Sequence, residues 1–71
     1  MQRFGEKLKT LRKRQGMTLQ ELSHRLGHAD HTYLSRVENG KKMPSIELIL
    51  VISHMFDVTT DELLKDDLEV E

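Results

Sequence analysis

The sequence predicts a small all-α domain of five short helices, and three observations support this. Apolar residues recur three and four positions apart, which is the spacing of one helix face. Hydroxyl or acidic residues suited to capping stand before several of these segments, and glycine or proline follows them. No segment has the alternating pattern of a strand.

Length and composition narrow the class of protein. A chain of 71 residues forms one small domain, and it contains no cysteine, so neither a disulfide nor a thiolate metal site is expected. It has no apolar run long enough to cross a membrane and no signal-peptide core. We therefore expect a cytoplasmic protein that does not bind membranes.

The first helix is expected over about residues 2–14. Phe4, Leu8 and Leu11 share one face of this segment, and basic side chains occupy much of the remainder. Gly16 ends the helix, because glycine readily adopts the left-handed conformation that follows helix ends.

A tight turn joins the second and third helices. Thr18 and Glu21 have the spacing of a capping box and begin the second helix, which Gly27 ends. A new N-terminus follows at Asp30, so the third helix is expected over about residues 31–39. Two short helices joined by a glycine turn form the helix-turn-helix pattern, whose second helix enters the major groove of DNA.

Pro44 separates the third helix from the fourth, because proline cannot continue a helix. Ser45 then caps a fourth helix over about residues 46–56. Together the helices predict an apolar core that consists of Leu8, Leu11, Met17, Leu22, Leu26, Leu34, Val37, Ile46, Ile49, Ile52, Phe56, Val58 and Leu63.

The fifth helix is expected to extend to about residue 66. Thr59 and Glu62 have the spacing of another capping box and mark its start. The folded domain should therefore cover residues 1–66, and residues 67–71 are expected to form an acidic C-terminal tail that is either frayed or dependent on a partner.

Charge is divided unevenly along the chain. Residues 1–42 carry ten Lys or Arg and four Asp or Glu, a net charge of +6. Residues 43–71 carry one Lys and eight acids, a net charge of −7, and the two halves sum to −1. A basic half suits a polyanionic partner, although runs of charge also occur on ordinary solvated helix faces.

At this point the sequence resembles the phage repressor and Cro (Xre-like) helix-turn-helix family. The matching segments run in order from the first helix to the fifth, and they comprise residues 4–12, 16–18, 21–23, 26–27, 33–41, 44–45 and 58–64. The resemblance implies a compact five-helix, lambda-repressor-like domain. It also implies that the protein binds operator DNA, generally as a dimer, to repress or activate transcription.

Three features depart from the family's pattern. Leu19 stands where the family often has a glutamine that contacts phosphate, and Ser23 stands where it prefers alanine. The turn between Gly27 and Leu34 is one residue longer than usual. The third helix is therefore expected to begin late or to be tilted.

The resemblance and helix geometry together indicate the candidate DNA contacts. The family positions that face base edges fall on His31, Thr32 and Arg36, and Arg36 suits the two acceptors of guanine. For Tyr33, packing within the protein is an equal alternative to a DNA contact. Contacts with the DNA backbone are expected from Thr18, Gln20, Tyr33, Asn39, Lys41 and Lys42.

The resemblance also implies a structural ion pair. It places Arg12 beside Glu38, in a partly buried position that joins the first helix to the end of the third. Such a pair is weak support for net stability, because desolvation offsets the attraction.

The fourth helix carries more apolar surface than one core face uses. Leu48, Val51 and Met55 form a second stripe on it, which is typical of a helix buried on two sides. A few exposed apolar side chains on a small domain are the alternative. We expect a homodimer whose interface consists of Leu48, Val51, Met55, Leu64, Leu68 and Val70.

No catalytic, cofactor or metal site is predicted. His24, His28 and His31 lie close in sequence, but Gly27 interrupts the helix between them and no carboxylate or cysteine completes a ligand set. No nucleophile stands beside a positioned base, so an enzyme is not expected.

The sequence therefore predicts a sequence-specific, nucleoid-associated transcriptional regulator, with repression favoured over activation. It is expected to bind a palindromic operator in double-stranded DNA as a homodimer. The alternative is a protein-interaction module on the same fold, for example an antitoxin or a regulator that acts mainly through protein contacts.

Overall fold

The computed structural model describes residues 2–27 and 30–70. Within these ranges the chain forms five helices and no strand, which confirms the predicted fold class. In chain order they are α1 (Phe4–Arg14), α2 (Leu19–Arg25), α3 (Thr32–Glu38), α4 (Ile46–Phe56) and α5 (Thr60–Leu64). None of the helices in the described ranges has the length and apolarity needed to span a bilayer.

Three helices begin at the hydroxyl residues that the sequence singles out as caps. The Thr18 hydroxyl accepts from the backbone N–H of Glu21 at 3.0 Å, and the Glu21 carboxylate accepts from the N–H of Thr18 at 3.0 Å. Thr59 and Glu62 make the same reciprocal pair, and Ser45 accepts from an amide in the first turn of α4. These bonds satisfy amides that have no acceptor within the helix.

The core lies where α1 packs against α3 and α5, with α2 against α3 and α4 against α5. Ten of the predicted core residues are buried there, and Leu26 and Phe56 are partly buried against them. Phe4, which the sequence pattern places on the apolar face of the first helix, also belongs to the core, as do Leu48 and Val70, which were predicted to lie in a dimer interface.

The prediction that Ile46 lies in the core is wrong, because its side chain is 76% exposed. Ile46 shares a face of α4 with Leu50, four residues on, which is 56% exposed. The buried face of α4 is the one that carries Ile49 and Ile52.

Gly5 allows α1 to lie directly against the end of α3. A Cβ at this position would clash with the backbone carbonyl of Val37 and would lie 2.7 Å from the carbonyl oxygen of Glu38. Both contacts are with backbone atoms, which cannot rotate away. Glycine is therefore required here by space rather than by its own dihedral angles.

The structure brings Arg12 of α1 and Glu38 of α3 together in this contact. Arg12 Nε and Nη2 donate to the two carboxylate oxygens of Glu38 at 2.8 and 3.1 Å. Arg12 Nη1 donates to the backbone carbonyl of Met17 at 2.8 Å, which also fixes the start of the connection to α2. Both charged side chains are buried, at 9% and 3% exposure.

The C-terminal segment folds back across the start of α1. The Asp66 carboxylate accepts from the backbone N–H groups of Gln2 and Arg3 at 2.9 and 3.0 Å. Arg3 in turn donates to both carboxylate oxygens of Glu69 at 2.7 and 2.8 Å. These bonds hold the pKa of Asp66 and that of Glu69 below the usual carboxyl range.

The expectation of a frayed tail is therefore wrong for residues 67–70. The side chain of Val70 is only 7% exposed and joins the core, and its carbonyl accepts from Arg14 at 3.2 Å. The Glu69 carboxylate pairs with the side chain of Arg3, the residue that precedes α1, and this pair helps to hold the segment in place. Glu71 lies outside the described residues.

Lys7 is a buried cation that the sequence pattern assigns to a solvated face. Its side chain is 1% exposed, and Nζ donates to the backbone carbonyls of Glu62 and Lys65 at 2.6 Å each. These carbonyls lie at the end of α5, where a positive charge is favourable. Lys7 therefore fastens α1 to α5.

Candidate nucleic-acid interface

The second and third helices pack against each other and are separated in the sequence by six residues, 26–31. Gly27 takes up a left-handed conformation, with φ of +81°, directly after α2. The carboxylate of Asp30 accepts from the backbone N–H of Thr32 at 2.9 Å and so supports the first turn of α3. The helix itself begins at Thr32, slightly later than the expected start.

The two sides of α3 have opposite environments. Leu34 and Val37 are 0% and 2% exposed and hold the helix on the core. The three residues expected to read bases, His31, Thr32 and Arg36, are all exposed on the outer side. Thr32 and Arg36 are four residues apart and therefore lie one above the other on this side.

The loop after α3 presents two lysines next to this outer side. Lys41 and Lys42 are both exposed. Asn39 ends the helix, since its side-chain amide donates to the carbonyl of Ser35 at 2.9 Å. The backbone N–H of Lys41 donates to the carbonyl of Arg36 at 2.8 Å, which fixes the loop to the last turn.

Tyr33 joins α3 to the start of α4. Its side chain is half-buried against the core, and its hydroxyl accepts from the backbone N–H of Ser45 at 3.1 Å. The ammonium group of Lys42 lies 5.9 Å from the centre of the ring, within reach of a cation–π interaction. Tyr33 thus makes the packing contact that the sequence offers as an alternative to a DNA contact.

The start of α2 places Thr18 and Gln20 on the surface. Both are exposed, whereas Leu19 between them packs partly against the core. The Thr18 hydroxyl accepts a bond from Glu21, but its own O–H can still donate to a further group. Bonds from Thr18, first of all from its backbone N–H, lower the pKa of Glu21.

Some of the basic side chains of residues 1–42 form ion pairs or hydrogen bonds within the protein. Arg3, Lys7 and Arg12 bind acidic side chains or backbone carbonyls of the same chain. The surface formed by α2, α3 and the following loop keeps a smaller set of exposed cations, which are Arg25, Arg36, Lys41 and Lys42.

Four of the six residues predicted for a dimer interface are wholly or partly buried within the protomer. Leu48 and Val70 are buried in the core of the protomer, at 5% and 7% exposure, and Met55 and Leu64 are half-buried. Only Val51 and Leu68 are exposed, at 43% and 37%.

A different set of apolar side chains lies on the surface. Met43, Ile46 and Leu50 are 71%, 76% and 56% exposed, and none of them is among the residues predicted for an interface. The four-residue spacing of Ile46 and Leu50 was the available signal for this face.

The histidines do not converge on a metal site. His24 and His31 are exposed, and His28 lies outside the described residues. In the part of the chain that the structure describes, no three or more His, Cys, Asp or Glu residues are grouped so that they could hold a metal ion.

The sequence-family model for helix-turn-helix proteins matches residues 8–63, which include all of α2, α3 and α4. The chain belongs to this helix-turn-helix family. The match agrees with the Xre-like resemblance, and the curated relatives are named as transcriptional regulators or as a control protein, not as enzymes.

Three relatives show the range of similarity. The transcriptional activator BcrR of Enterococcus faecalis is 39% identical over 64 residues, which cover 90% of this chain and 31% of BcrR. The control protein C.MunI of Mycoplasma sp is 41% identical over 64 residues, 90% of this chain and 86% of C.MunI. The transcriptional regulator SinR of Bacillus subtilis is 37% identical over 69 residues, 96% of this chain and 61% of SinR.

The chain spans about a third of BcrR and about three fifths of SinR, whereas it spans most of C.MunI. No solved structure matches the chain at a significant level.

Proposed function

We propose that the chain is a sequence-specific DNA-binding transcriptional repressor that binds a palindromic operator as a homodimer. The observation that carries this proposal is the orientation of α3. Its inner side is fixed by Leu34 and Val37, while His31, Thr32 and Arg36 face outwards. A rigid helix with a polar outer side is what the major groove of DNA admits.

The outer side of α3 supplies three kinds of base contact. The guanidinium of Arg36 can donate two hydrogen bonds to O6 and N7 of guanine. Thr32 offers a methyl group to thymine or a hydroxyl to a base edge, and the imidazole of His31 can donate or accept. Arg36 is expected to contribute most to sequence discrimination, because its contact is bidentate.

Contacts with phosphate would position this helix. Lys41 and Lys42 follow α3 directly, and Thr18 and Gln20 stand on the surface at the start of α2. The side-chain carbonyl of Asn39 remains an acceptor for a bridging water, since its amide group is used by the helix end. These groups fix the register of the protein on the duplex without reading its sequence.

Dimerisation and repression complete the proposal. Two copies related by a twofold axis can place their recognition helices about 34–36 Å apart, one turn of DNA, which accounts for a palindromic site. A dimer bound to a promoter excludes polymerase by occupancy alone. Activation needs an additional surface that contacts polymerase, so repression is the simpler output.

Selection from a pool of random duplexes tests the proposal. The expected result is an enriched palindrome whose half-sites are separated by about one helical turn, 10–10.5 base pairs. Affinity for the selected duplex should decline linearly on a double-logarithmic plot against salt concentration. A flat salt response would contradict the electrostatic part of the proposal.

Two variants separate reading from positioning. Arg36→Ala should weaken binding about 5- to 150-fold for each half-site of the selected palindrome and relax the preference at one base pair of each half-site. Lys41→Ala should weaken selected and unrelated duplexes alike and make the salt dependence shallower. Lys65→Ala is the control, because it removes an exposed positive charge from the end of α5 and should leave DNA binding unchanged.

A protein-interaction module would give the opposite result. In that case no sequence would be enriched, and Arg36→Ala would leave the retention of DNA unchanged.

A further inference from the structure

The exposed side of α4 has a pattern that is complementary to itself. Glu47, Leu50, Val51 and His54 are all exposed, whereas Ile49 and Ile52 face the core. Positions 47, 50 or 51, and 54 are spaced by three or four residues, so they form a single seam along the helix. The seam has a carboxylate at one end, an apolar middle and an imidazole at the other.

The seam is symmetric about its centre, midway between Leu50 and Val51. In an antiparallel pair of α4 helices crossing at that point, Glu47 lies opposite the partner subunit's His54. Leu50 lies opposite the partner's Val51, and each contact occurs twice because of the twofold axis.

We propose that two copies of this chain associate through antiparallel α4 helices, with two Leu50–Val51 contacts flanked by two Glu47–His54 hydrogen bonds. The proposal rests on the homodimer proposed above and specifies its interface, register and direction.

Charge complementarity favours a second copy as the occupant of this face. Glu47 lies in the first turn of α4 and His54 in the last, so an antiparallel partner brings the two side chains together at both ends. An imidazole N–H can donate to a carboxylate in either protonation state of the ring. A parallel partner would instead place Glu47 against Glu47 and would be repelled.

The size of the seam indicates a weak dimer. A helix of 11 residues is about 16 Å long, so a pair of such helices buries less than the roughly 1,600 Å² of a standard interface. Ile46, which is highly exposed and lies four residues before Leu50, extends the apolar area beside the seam. We therefore expect association in the micromolar range, which binding to both half-sites of one DNA molecule would reinforce.

The seam differs from the Leu48, Val51 and Met55 stripe that the sequence suggests. Leu48 is buried in the core of the protomer. The exposed stripe of α4 is therefore shifted by about one position, from residues 48, 51 and 55 to residues 47, 50 or 51, and 54. This shift places Glu47 and His54 at the ends of the stripe instead of Leu48 and Met55. The two polar side chains fix the direction and register of the partner helix, which an entirely apolar stripe does not.

Charge reversal followed by sedimentation equilibrium of the full chain without DNA tests the seam. The unmodified chain should form dimers at tens of micromolar. Glu47→Lys alone and His54→Glu alone should each weaken the dimer about tenfold, because two pairs per dimer are lost. The combined Glu47→Lys and His54→Glu chain should dimerise within about twofold of the unmodified chain, since the pairs are restored in reverse.

Controls keep this test independent of folding. All three variants change exposed residues, and unchanged helical circular dichroism and melting would show that they fold. His24→Glu makes the same charge change at an exposed position on α2 and should leave the dimer constant unchanged. A monomeric unmodified chain, insensitivity to the single reversals, or no recovery in the combined variant would each overturn the seam.

The two proposals fail in different ways. An enriched palindrome together with no recovery in the combined variant would support DNA reading and overturn the seam. Recovery in the combined variant with no enriched sequence would support the seam and overturn the DNA-binding proposal.

Discussion

Removing the carboxylate of Glu38 tests how α1 is held against α3. In Glu38→Ala the guanidinium of Arg12 stays in a buried position but loses both bonds to the carboxylate, at 2.8 and 3.1 Å. The remaining bond that it donates is to the carbonyl of Met17 at 2.8 Å. The variant therefore leaves a positive charge in the interior with too few acceptors.

The burial of the pair sets the size of the effect. Breaking a buried pair from one side costs about 3–5 kcal/mol in the free energy of unfolding. A domain of 71 residues has about 4–11 kcal/mol in total on a per-residue scale. At about 4–8 °C per kcal/mol, Glu38→Ala should lower the melting temperature by at least about 12 °C. A chain at the lower end of the stability range should be unfolded by this substitution.

Thermal unfolding followed by circular dichroism measures this, with Glu6→Ala as the matched control. Glu6 also pairs with an arginine, Arg3, at 2.9 Å, but its side chain is 63% exposed, so its removal should shift the melting temperature by only a few degrees. Equal melting temperatures for Glu38→Ala and Glu6→Ala would refute the reasoning.

A double variant separates the unpaired charge from the loss of contacts. Arg12→Leu combined with Glu38→Leu removes both charges and should recover part of the lost stability. Recovery should be incomplete, because the carbonyl of Met17 loses its donor. A double variant less stable than Glu38→Ala would show that the penalty does not come from the buried charge.

Three further predictions follow from the packing. Gly5→Ala should destabilise the fold severely in chemical denaturation, because the added methyl meets backbone carbonyls of α3; an unchanged denaturation midpoint would contradict the close approach. Ser23→Ala should raise the free energy of unfolding by about 1 kcal/mol, because the Ser23 hydroxyl is buried without a partner among the described residues. A loss of stability would indicate that the hydroxyl has a partner. Stability should fall as pH drops below about 4, because the folded-state pKa values of Asp66 and Glu69 lie below those of the unfolded chain, and the combined Asp66→Asn and Glu69→Gln variant should show a smaller loss in a pH series of melts.

Short-range patterns in the sequence were sufficient to predict the helices. The start of α2 is fixed by the bonds between Thr18 and Glu21, which are three residues apart, and α5 begins with the same arrangement. A pattern this short can be read directly from the sequence because both partners lie within one helical turn. The outward orientation of Arg36 follows equally from the spacing of Leu34 and Val37 on one side of α3.

Contacts between distant parts of the chain were not predictable in the same way. Lys7 reaches the carbonyls at the end of α5, and Asp66 binds amides at the start of α1 across 63 and 64 residues of sequence. Neither residue has a distinctive spacing, because its partners are backbone groups that every residue carries. The prediction of a frayed tail failed because its contacts also join distant parts of the chain: Glu69 pairs with Arg3, and Val70 is buried in the core.

Which side of α4 faces solvent also depended on packing against another part of the chain. Leu48 and Leu50 are both leucines in one apolar helix, and periodicity allowed either to face the core. Packing of α4 against α5 decides between them, and it leaves Leu50 exposed. The rotation is small, yet it changes which residues a second copy can contact.

The distribution of cations explains how a chain of net charge −1 can still suit a polyanion. Arg3, Lys7 and Arg12 hold the protein together, so they contribute little to the field outside it. Few exposed cations remain on α3 and its following loop. The acidic side chains of residues 43–71 lie mainly on α5 and in the segment after it. Few phosphate contacts imply modest non-specific affinity for each protomer. In the proposed complex, specific binding would then depend on the base contacts of α3 and on the pairing of two protomers, so the weak dimer and the short α3 helix would be useful only together.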